Sequence, residues 1–184
     1  MSRDPLKLRY YGDPLLRRKA AAVAAVTSEI KELIGAMFEC MHGEKGIGLA
    51  APQVGLLKRI FVLDVEEDSG ERTKLALVNP VMIDRSGEMV GEEGCLSIPG
   101  VRVDVKRFAE VEFEALDELG AAIQVSAKGL LSRVLQHELD HLDGVLIIDR
   151  LSAIRRKLIE AKLARMRFGD EDPASPEASA TRSL

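Results

Sequence analysis

Hydrophobic residues follow a helical period in the first third of the chain and a strand period in its middle. Between Thr27 and Gly43 the apolar positions are spaced three and four residues apart, as on one face of a helix. Thr27 or Ser28 can cap this helix, and Gly43 can end it. The apolar face consists of Ile30, Leu33, Ile34, Met37, Phe38 and Met41.

After Arg59 the pattern becomes that of short strands. The segments RIFVLDV and LALVNPVMI predict two strands, the second interrupted at Asn79-Pro80. The segment VRVDVKRFAEVEFEALD alternates apolar and polar residues, as half-buried antiparallel strands do. Residues 117–120 predict the turn that follows.

A second helix is predicted around QHELDHLDG, residues 136–144, with Ser126 as its cap and Gly144 at its end. A third helical stretch covers residues 152–168, with an apolar face formed by Ile154, Leu158, Ile159 and Leu163. We therefore predict an α+β fold. Antiparallel sheets pack around the central motif helix, with an N-terminal and a C-terminal helix beside them.

The 184 residues suit one catalytic domain over residues 1–168, followed by a disordered tail over 169–184 that is rich in Pro, Ser, Ala and Glu. A net charge of −4 argues against a nucleic-acid binder, so DNA is not an expected partner. No apolar run approaches the roughly 18 residues of a membrane span, and the N-terminus lacks a secretory signal. Two cysteines make no disulfide framework. These features predict a cytoplasmic protein without membrane contact.

The motif helix carries two of the three histidines in the pattern H-E-x-x-H. His137 and His141 lie one turn apart on the same helix face, where both imidazoles can bind one divalent metal. Glu138 is then placed to take a proton from a metal-bound water and return it to the leaving group. A catalytic site of this type needs a third protein ligand and one open position.

Two regions of the sequence offer that third ligand. Metallopeptidases of the metzincin type have a histidine where this chain has Ile147, which cannot bind a metal. Asp149 and Glu160 remain the downstream alternatives for a peptidase. Upstream, Cys95 lies in a loop between Gly94 and Pro99, and its thiolate would complete a Cys-His-His set. A metal-stabilised binding module is the non-enzymatic alternative, although structural sites usually have four protein ligands.

Three segments closely resemble the signature motifs of the peptide deformylase family, in the same order and at similar separations. They are GIGLAAPQVG at residues 46–55, EEGCLSIPG at residues 92–100 and QHELDHLDG at residues 136–144. The resemblance extends from the N-terminal segment to the last helix. It implies removal of the N-formyl group from the initiator methionine of nascent polypeptides, giving formate and a free N-terminus.

The resemblance also implies a role for each matching residue. Cys95, His137 and His141 become the metal ligands, and Glu138 becomes the general base and acid. The Gln53 side chain and the backbone N–H of Leu96 match donors to the developing oxyanion, which such donors stabilise. The backbone around Gly48 lines the same pocket. Arg102 matches an arginine that supports the cysteine loop, through a carboxylate such as Glu93.

The implied pocket for the methionine side chain has two unusual positions. Arg133 and Gly91 stand where well-known members carry bulky apolar residues. Arg133 could lay its methylenes along the pocket and send its guanidinium to solvent, or it could instead narrow or re-aim the pocket. The matching pocket residues are Ile47, Gly91, Leu130, Arg133 and Val134.

One divalent metal per chain is implied, with Fe²⁺ as the native ion and Zn²⁺, Ni²⁺ or Co²⁺ as substitutes in purified protein. Cysteine and imidazole ligands suit all four metals. The C-terminal helix, residues 152–168, carries six cations against Glu160, a net charge of +5. The resemblance suggests that this helix docks on the ribosome near the exit tunnel, where formylmethionyl peptides emerge.

Overall fold

The computed structural model describes residues 5–67 and 70–168, so the tail predicted at 169–184 lies outside the described residues. Within them the chain forms three α-helices and seven strands. The helices are α1 (Ser28–Gly43), α2 (Gly129–Leu142) and α3 (Ala153–Phe168). The strands are β1 (Gly48–Ala50), β2 (Ile60–Glu66), β3 (Arg72–Ser86), β4 (Met89–Glu93), β5 (Val103–Arg107), β6 (Glu110–Leu116) and β7 (Ala122–Lys128). Three short 3₁₀ helices are Pro14–Arg17, Ala51–Val54 and Ile147–Arg150.

The strands form two antiparallel sheets, as the alternating pattern predicted. The larger sheet has the order β1-β2-β3-β6-β7, and β4 pairs with β5 in a separate two-stranded sheet. Helix α2 lies between the sheets, since its Val134 packs with Phe61 of the large sheet and its Arg133 bonds to backbone carbonyls of β4 and β5. The predicted α+β architecture with a central motif helix is confirmed.

Strand β2 is the middle layer of the hydrophobic core. Its side chains alternate between the two faces of the sheet, and both faces are covered by a helix. Phe61 and Leu63 join the cluster that contains α2, whereas Ile60 and Val62 join the cluster that contains α1. The strand therefore holds both helices at fixed positions, and with them the metal-ligand candidates of α2.

Helix α1 begins and ends as its sequence predicted, at Ser28 and Gly43. All six residues of the predicted apolar face are buried against the sheet. Cys40 borders that face and packs partly buried beside it.

The predicted interruption at Asn79-Pro80 is a bulge within one continuous strand. Pairing of β3 with β6 shifts register between Val78 and Val81, and Asn79 adopts a left-handed conformation with φ +54°. The Asn79 side chain accepts from the backbone N–H of Val23 and donates to its carbonyl, both at 2.8 Å. These bonds hold the bulge and connect the sheet to the N-terminal segment.

Two local predictions are wrong. Ser126 does not cap α2, because β7 continues to Lys128 and the helix begins at Gly129. Of the predicted apolar face of α3, Leu163 is buried and Ile159 half-buried, while Ile154 and Leu158 are 77% and 79% exposed. No helix in the described ranges is long and apolar enough to cross a membrane.

Candidate metal centre

Three side chains from two segments converge beside α2. Cys95 lies in the loop after β4, and His137 and His141 project from one face of α2. His141 Nε2 lies 3.3 Å from Cys95 Sγ and 3.2 Å from His137 Nε2. Within the described ranges, this is the group of potential ligands whose donor atoms all lie close enough to share one metal ion.

The spacing of these atoms fits a tetrahedral metal. Bonds of about 2.0–2.3 Å to nitrogen and sulfur place neighbouring ligand atoms roughly 3.3–3.8 Å apart. The two distances at His141 agree with that geometry. Both histidines are buried, whereas Cys95 is only half-buried. The three residues present can therefore hold a divalent metal and leave one position for a further ligand.

The downstream alternatives do not join this group. The Asp149 carboxylate is paired with Arg17 and accepts from the backbone N–H of Leu146. Glu160 lies on the exposed face of α3. The position equivalent to the third metzincin histidine, Ile147, is 1% exposed and packs in the core.

Glu138 lies next to the ligand group, and one of its carboxylate oxygens has no hydrogen-bond partner among the described residues. Its side chain is buried, and the oxygen without a partner is Oε2. Burial raises the pKa of Glu138 to about 7; the charge of His137 opposes this rise, and that of Glu93 adds to it. A carboxyl group with such a pKa can both accept and return a proton near neutral pH.

A glycine makes room for this carboxylate. A Cβ placed on Gly48 would overlap the Glu138 carboxylate, so a larger residue there would displace it. Strand β1, which contains Gly48, is fixed to β2 by antiparallel pairing. The first motif therefore keeps its backbone against the Glu138 carboxylate.

Gln53 connects the first motif to the cysteine loop. It is 1% exposed, and its Oε1 accepts from the backbone N–H of Ala50 at 2.8 Å. Its Nε2 donates to Ser97 Oγ at 3.2 Å and lies 3.7 Å from Cys95 Sγ. The amide is thus held with its donor end towards the ligand group. The Leu96 side chain packs against Gly46, where a Cβ would approach it to 2.7 Å.

A buried network of charges lies behind the histidines. Glu93 is 0% exposed, and its carboxylate accepts from His137 Nδ1 at 3.0 Å and from Arg107 Nε and Nη2 at 2.8 and 2.9 Å. Burial alone would raise the pKa of Glu93, but the hydrogen bonds from Arg107 and His137 outweigh it and hold that pKa well below its usual range. Asp140 accepts from Arg107 and Arg150.

The two histidines differ electrostatically. Burial, followed by the positive charges of His137 and Arg107, holds the pKa of His141 well below its usual value. Burial alone would lower the pKa of His137, but hydrogen bonds to Cys95 and Glu93 raise it well above that value. The two imidazoles therefore lie in different electrostatic environments although they face the same ligand group.

Sequence reasoning placed Glu93 near the site only as a partner of Arg102, and it missed Arg107 and Asp140. It also assigned the wrong partner to Arg102, whose guanidinium binds Glu92 at the surface rather than Glu93. A signal for Arg107 was present, since it continues the odd-numbered series of Val103 and Val105. In a strand that series shares one face, and here both Val105 and Arg107 are buried.

For Arg133 the structure contradicts the alternative in which the guanidinium extends to solvent. Its guanidinium does not reach solvent, because the residue is 6% exposed and its Nη1 donates to Glu93 Oε1 at 2.8 Å. Among the other predicted pocket residues, Val134 is fully buried and Ile47 packs against the same cluster. Leu130 is 38% exposed, and Gly91 lies directly against the Arg133 guanidinium.

The fold and the Cys-His-His group with its adjacent carboxylate define a candidate metallohydrolase. A family model described as Polypeptide deformylase matches residues 5–157. The chain belongs to the peptide deformylase family, whose members are metal-dependent. It is an enzyme that removes the formyl group from N-formylmethionyl peptides.

Individual relatives agree with this assignment. The chain is 43% identical to a peptide deformylase of Thermodesulfovibrio yellowstonii, covering 85% of this chain and 95% of the relative. It is 47% identical to that of Alkalilimnicola ehrlichii, covering 88% and 90%. The crystal structure of a peptide deformylase from Synechococcus elongatus in complex with actinonin superposes with a TM-score of 0.80 at 41% identity, covering 88% and 90%.

Proposed function

We propose that Cys95, His137 and His141 hold the catalytic metal and that Glu138 moves the proton during deformylation. The observation that carries this proposal is the convergence of three ligand atoms within 4.8 Å of one another. A divalent metal held there supplies Lewis-acid polarisation of the formyl group and lowers the pKa of a coordinated water. Glu138, with no partner at Oε2, is the base that takes the proton of the attacking water and delivers it to the departing amine.

The donors of the first and second motifs complete the site. Gln53 Nε2 and the backbone N–H of Leu96 stabilise the oxyanion that develops when water attacks the formyl carbon, and each such donor contributes about 3 kcal/mol. The bond from Ala50 N–H to Gln53 Oε1 supports this role, since it fixes which end of the amide faces the site. Gly48 keeps the backbone close to Glu138.

The ligand set is tested by metal content. In the Cys95→Ala variant, bound Ni²⁺ measured by elemental analysis should fall from one per chain to a small fraction, because two imidazoles alone bind weakly. The matched control is Cys40→Ala, which removes the other cysteine of the chain and should leave the metal in place. Full metal content in Cys95→Ala would contradict the assignment.

The metal in the cell is proposed to be Fe²⁺, with Zn²⁺, Ni²⁺ or Co²⁺ replacing it during purification. A cysteine-histidine set accepts all of these ions, so the choice depends on supply and not on geometry. A thiolate next to ferrous iron is prone to oxidation. Aerobic purification should therefore produce metal loss together with added oxygen on Cys95, which mass spectrometry detects.

The methionine side chain is proposed to bind in a pocket formed by Ile47, Gly91, Leu130, Arg133 and Val134. Ile47 and Val134 pack in one cluster beside the ligand group, which supports an apolar pocket at that place. Shortening Val134 to alanine should raise KM for formylmethionyl peptides more than it lowers kcat. An unchanged KM would remove Val134 from the pocket.

We also propose that the basic helix α3 docks on the ribosome and that the enzyme acts in the cytoplasm. Ile154 and Leu158 are exposed on either side of the exposed cations Arg155 and Lys157, so α3 presents an apolar and positively charged surface. Substituting Arg155 and Lys157 with glutamate should weaken co-sedimentation with ribosomes, and added salt should weaken it for the wild type. Salt-insensitive binding, or binding unchanged by deletion of residues 152–184, would contradict the docking.

A further inference from the structure

Arg133 is buried behind His137, and its guanidinium contacts β4 and β5 instead of solvent. Its Nη1 donates to Glu93 Oε1 at 2.8 Å, to the carbonyl of Val105 at 3.0 Å and to that of Gly91 at 3.2 Å. These partners belong to β4 and β5, so the guanidinium fixes the two-stranded sheet to α2. A planar guanidinium held by three acceptors has little freedom to turn elsewhere.

Glu93 joins Arg133 to His137 across one turn of α2. Arg133 and His137 are four residues apart and therefore lie on the same helix face. Glu93 Oε1 accepts from Arg133 and Arg107, while Oε2 accepts from His137 Nδ1 and from Arg107. Because His137 donates through Nδ1, its Nε2 is directed to Cys95 and His141.

Arg107 binds a second carboxylate besides that of Glu93. Its Nη1 donates to Asp140 at 2.6 Å, so its charge is shared between two buried carboxylates. Arg133 is the other cation in contact with Glu93. Removing it would leave Glu93 with fewer donors and would remove the contacts of the guanidinium with the carbonyls of Gly91 and Val105.

Gly91 supplies the space that the guanidinium fills. A Cβ built on Gly91 would lie 2.9 Å from Arg133 Nη2 and 3.2 Å from Cζ. Any side chain at this position would push the guanidinium away from Glu93. Gly91 and Arg133, the two unusual positions in the sequence, are therefore in contact, and the small residue makes room for the large one.

We propose that Arg133 is a positioning residue of the deformylase. Its guanidinium, seated in the space left by Gly91, fixes Glu93 and through Glu93 the Nδ1 of His137. The metal ligand His137 thereby keeps one ring orientation. This inference rests on the proposed role of His137 as a ligand.

The first test is the Arg133→Met variant, which keeps most of the aliphatic stem and removes every donor. Its Ni²⁺ affinity, measured by competition with a chelator, should fall about 10–100-fold, as for other partners of ligating histidines. The control Arg72→Met removes an arginine from Asp64, another buried carboxylate, and should keep wild-type affinity. Circular dichroism and thermal melting show that each variant is folded.

Kinetics of the Ni²⁺-saturated enzyme separate positioning from a pocket role. As a positioning residue Arg133 should lower kcat for a formyl-Met-Ala-Ser peptide, in addition to the change in KM expected from its place in the proposed pocket. A residue that serves only as the pocket wall should change KM alone. The latter result, with Ni²⁺ affinity as in the wild type, would overturn the proposal.

The second test asks whether Gly91 and Arg133 act together. It introduces Gly91→Ala once in the wild type, which keeps Arg133, and once in the Arg133→Met variant. Gly91→Ala should weaken Ni²⁺ binding in the wild type, because the added methyl group displaces the guanidinium. In the Arg133→Met background the same change should have almost no effect, so the two changes are non-additive. Additive effects would overturn the proposal. Should Arg133→Met not fold, an unchanged Ni²⁺ affinity in Gly91→Ala would overturn it as well.

Ni²⁺ binding by the wild type and by His137→Ala distinguishes failure of this inference from failure of the proposed function. Loss of Ni²⁺ in His137→Ala supports the ligand set whatever Arg133 does. A wild-type chain that binds no Ni²⁺, or a His137→Ala variant with full affinity, would overturn the ligand set and this inference together. Wild-type affinity in folded Arg133→Met overturns this inference alone.

Discussion

Helices α1 and α2 cover opposite faces of the same strand by different physical means. The buried residues of α1 are all apolar. Those of α2 include polar and charged side chains that need partners or a metal, namely Ser132, Arg133, Gln136, His137, Glu138, Asp140 and His141. The stability of α1 therefore comes mainly from burial of apolar side chains, whereas that of α2 depends on groups from β4, β5 and the cysteine loop.

Two buried carboxylates, Glu93 of β4 and Glu138 of α2, have different tasks. One stabilises the structure, and the other takes part in the proposed reaction. Glu93 accepts four hydrogen bonds, and its pKa is held well below its usual range. Glu138 has an oxygen without a described partner, and burial raises its pKa to about 7. The first carboxylate is fixed as an anion, and the second is free to exchange a proton.

The largest expected effect on stability is that of Glu93→Gln. The change leaves Arg107 and Arg133 without their shared anion, and breaking a buried pair in this way typically costs about 3–5 kcal/mol. Denaturant unfolding measures this loss. The control is Glu92→Gln, next in the chain, whose exposed pair with Arg102 should contribute about 0–1 kcal/mol. Equal effects of the two variants would contradict the buried network.

On the other side of the sheet, Met37→Ala should destabilise the fold without touching the metal. Met37 is 0% exposed, and truncating such a side chain costs about 2–5 kcal/mol through lost burial and a cavity. Ni²⁺ affinity of the folded variant should equal that of the wild type. A fall in affinity similar to that of Arg133→Met would remove the distinction between the two helices.

A smaller effect concerns a hydrogen-bonded contact between α1 and β2. Asp64 accepts from His42 at 2.8 Å and from Arg72 at 2.7 and 2.8 Å. The bonds from Arg72, opposed by burial and aided by His42, lower the pKa of Asp64 from 3.8 to about 2. Because the folded pKa is the lower one, this stabilisation is present above pH 4 and disappears as the pH falls towards 2.

The Arg72 partner of Asp64 is exposed, so solvent screening should limit the contribution to about 1 kcal/mol or less. Unfolding free energies of wild type and Arg72→Met, compared at several pH values from 5 to 2, isolate it. The difference between the proteins should shrink as the pH falls. A difference that stays constant would show that Asp64 keeps its usual pKa.

The sequence allowed prediction of the elements that depend on local periodicity. The apolar series from Ile30 to Met41 defined α1, and alternation defined β5 and β6. The ligand candidates followed from the spacing of His137 and His141 and from the motif around Cys95. These signals lie within short segments, so they can be recognised without knowing which distant segments come into contact.

The network behind the ligands could not be predicted in the same way. Glu93, Arg107 and Arg133 come from a strand, a second strand and a helix, and they meet only when the two sheets enclose α2. Arg133 and Gly91 each looked anomalous alone. Their relation depends on a distance between side chain and backbone that no local pattern contains.

The central claim is that Glu138 moves the proton at a metal held by Cys95, His137 and His141. Formate release from a formyl-Met-Ala-Ser peptide tests it most directly, with anaerobically purified Fe²⁺ protein, a Ni²⁺-loaded sample, and the variants Glu138→Ala and Glu118→Ala. Both metal forms and the exposed-turn control Glu118→Ala should release formate, whereas Glu138→Ala should keep its metal and lose about 10²–10⁴-fold in rate. Release at the wild-type rate by metal-loaded Glu138→Ala would contradict the account.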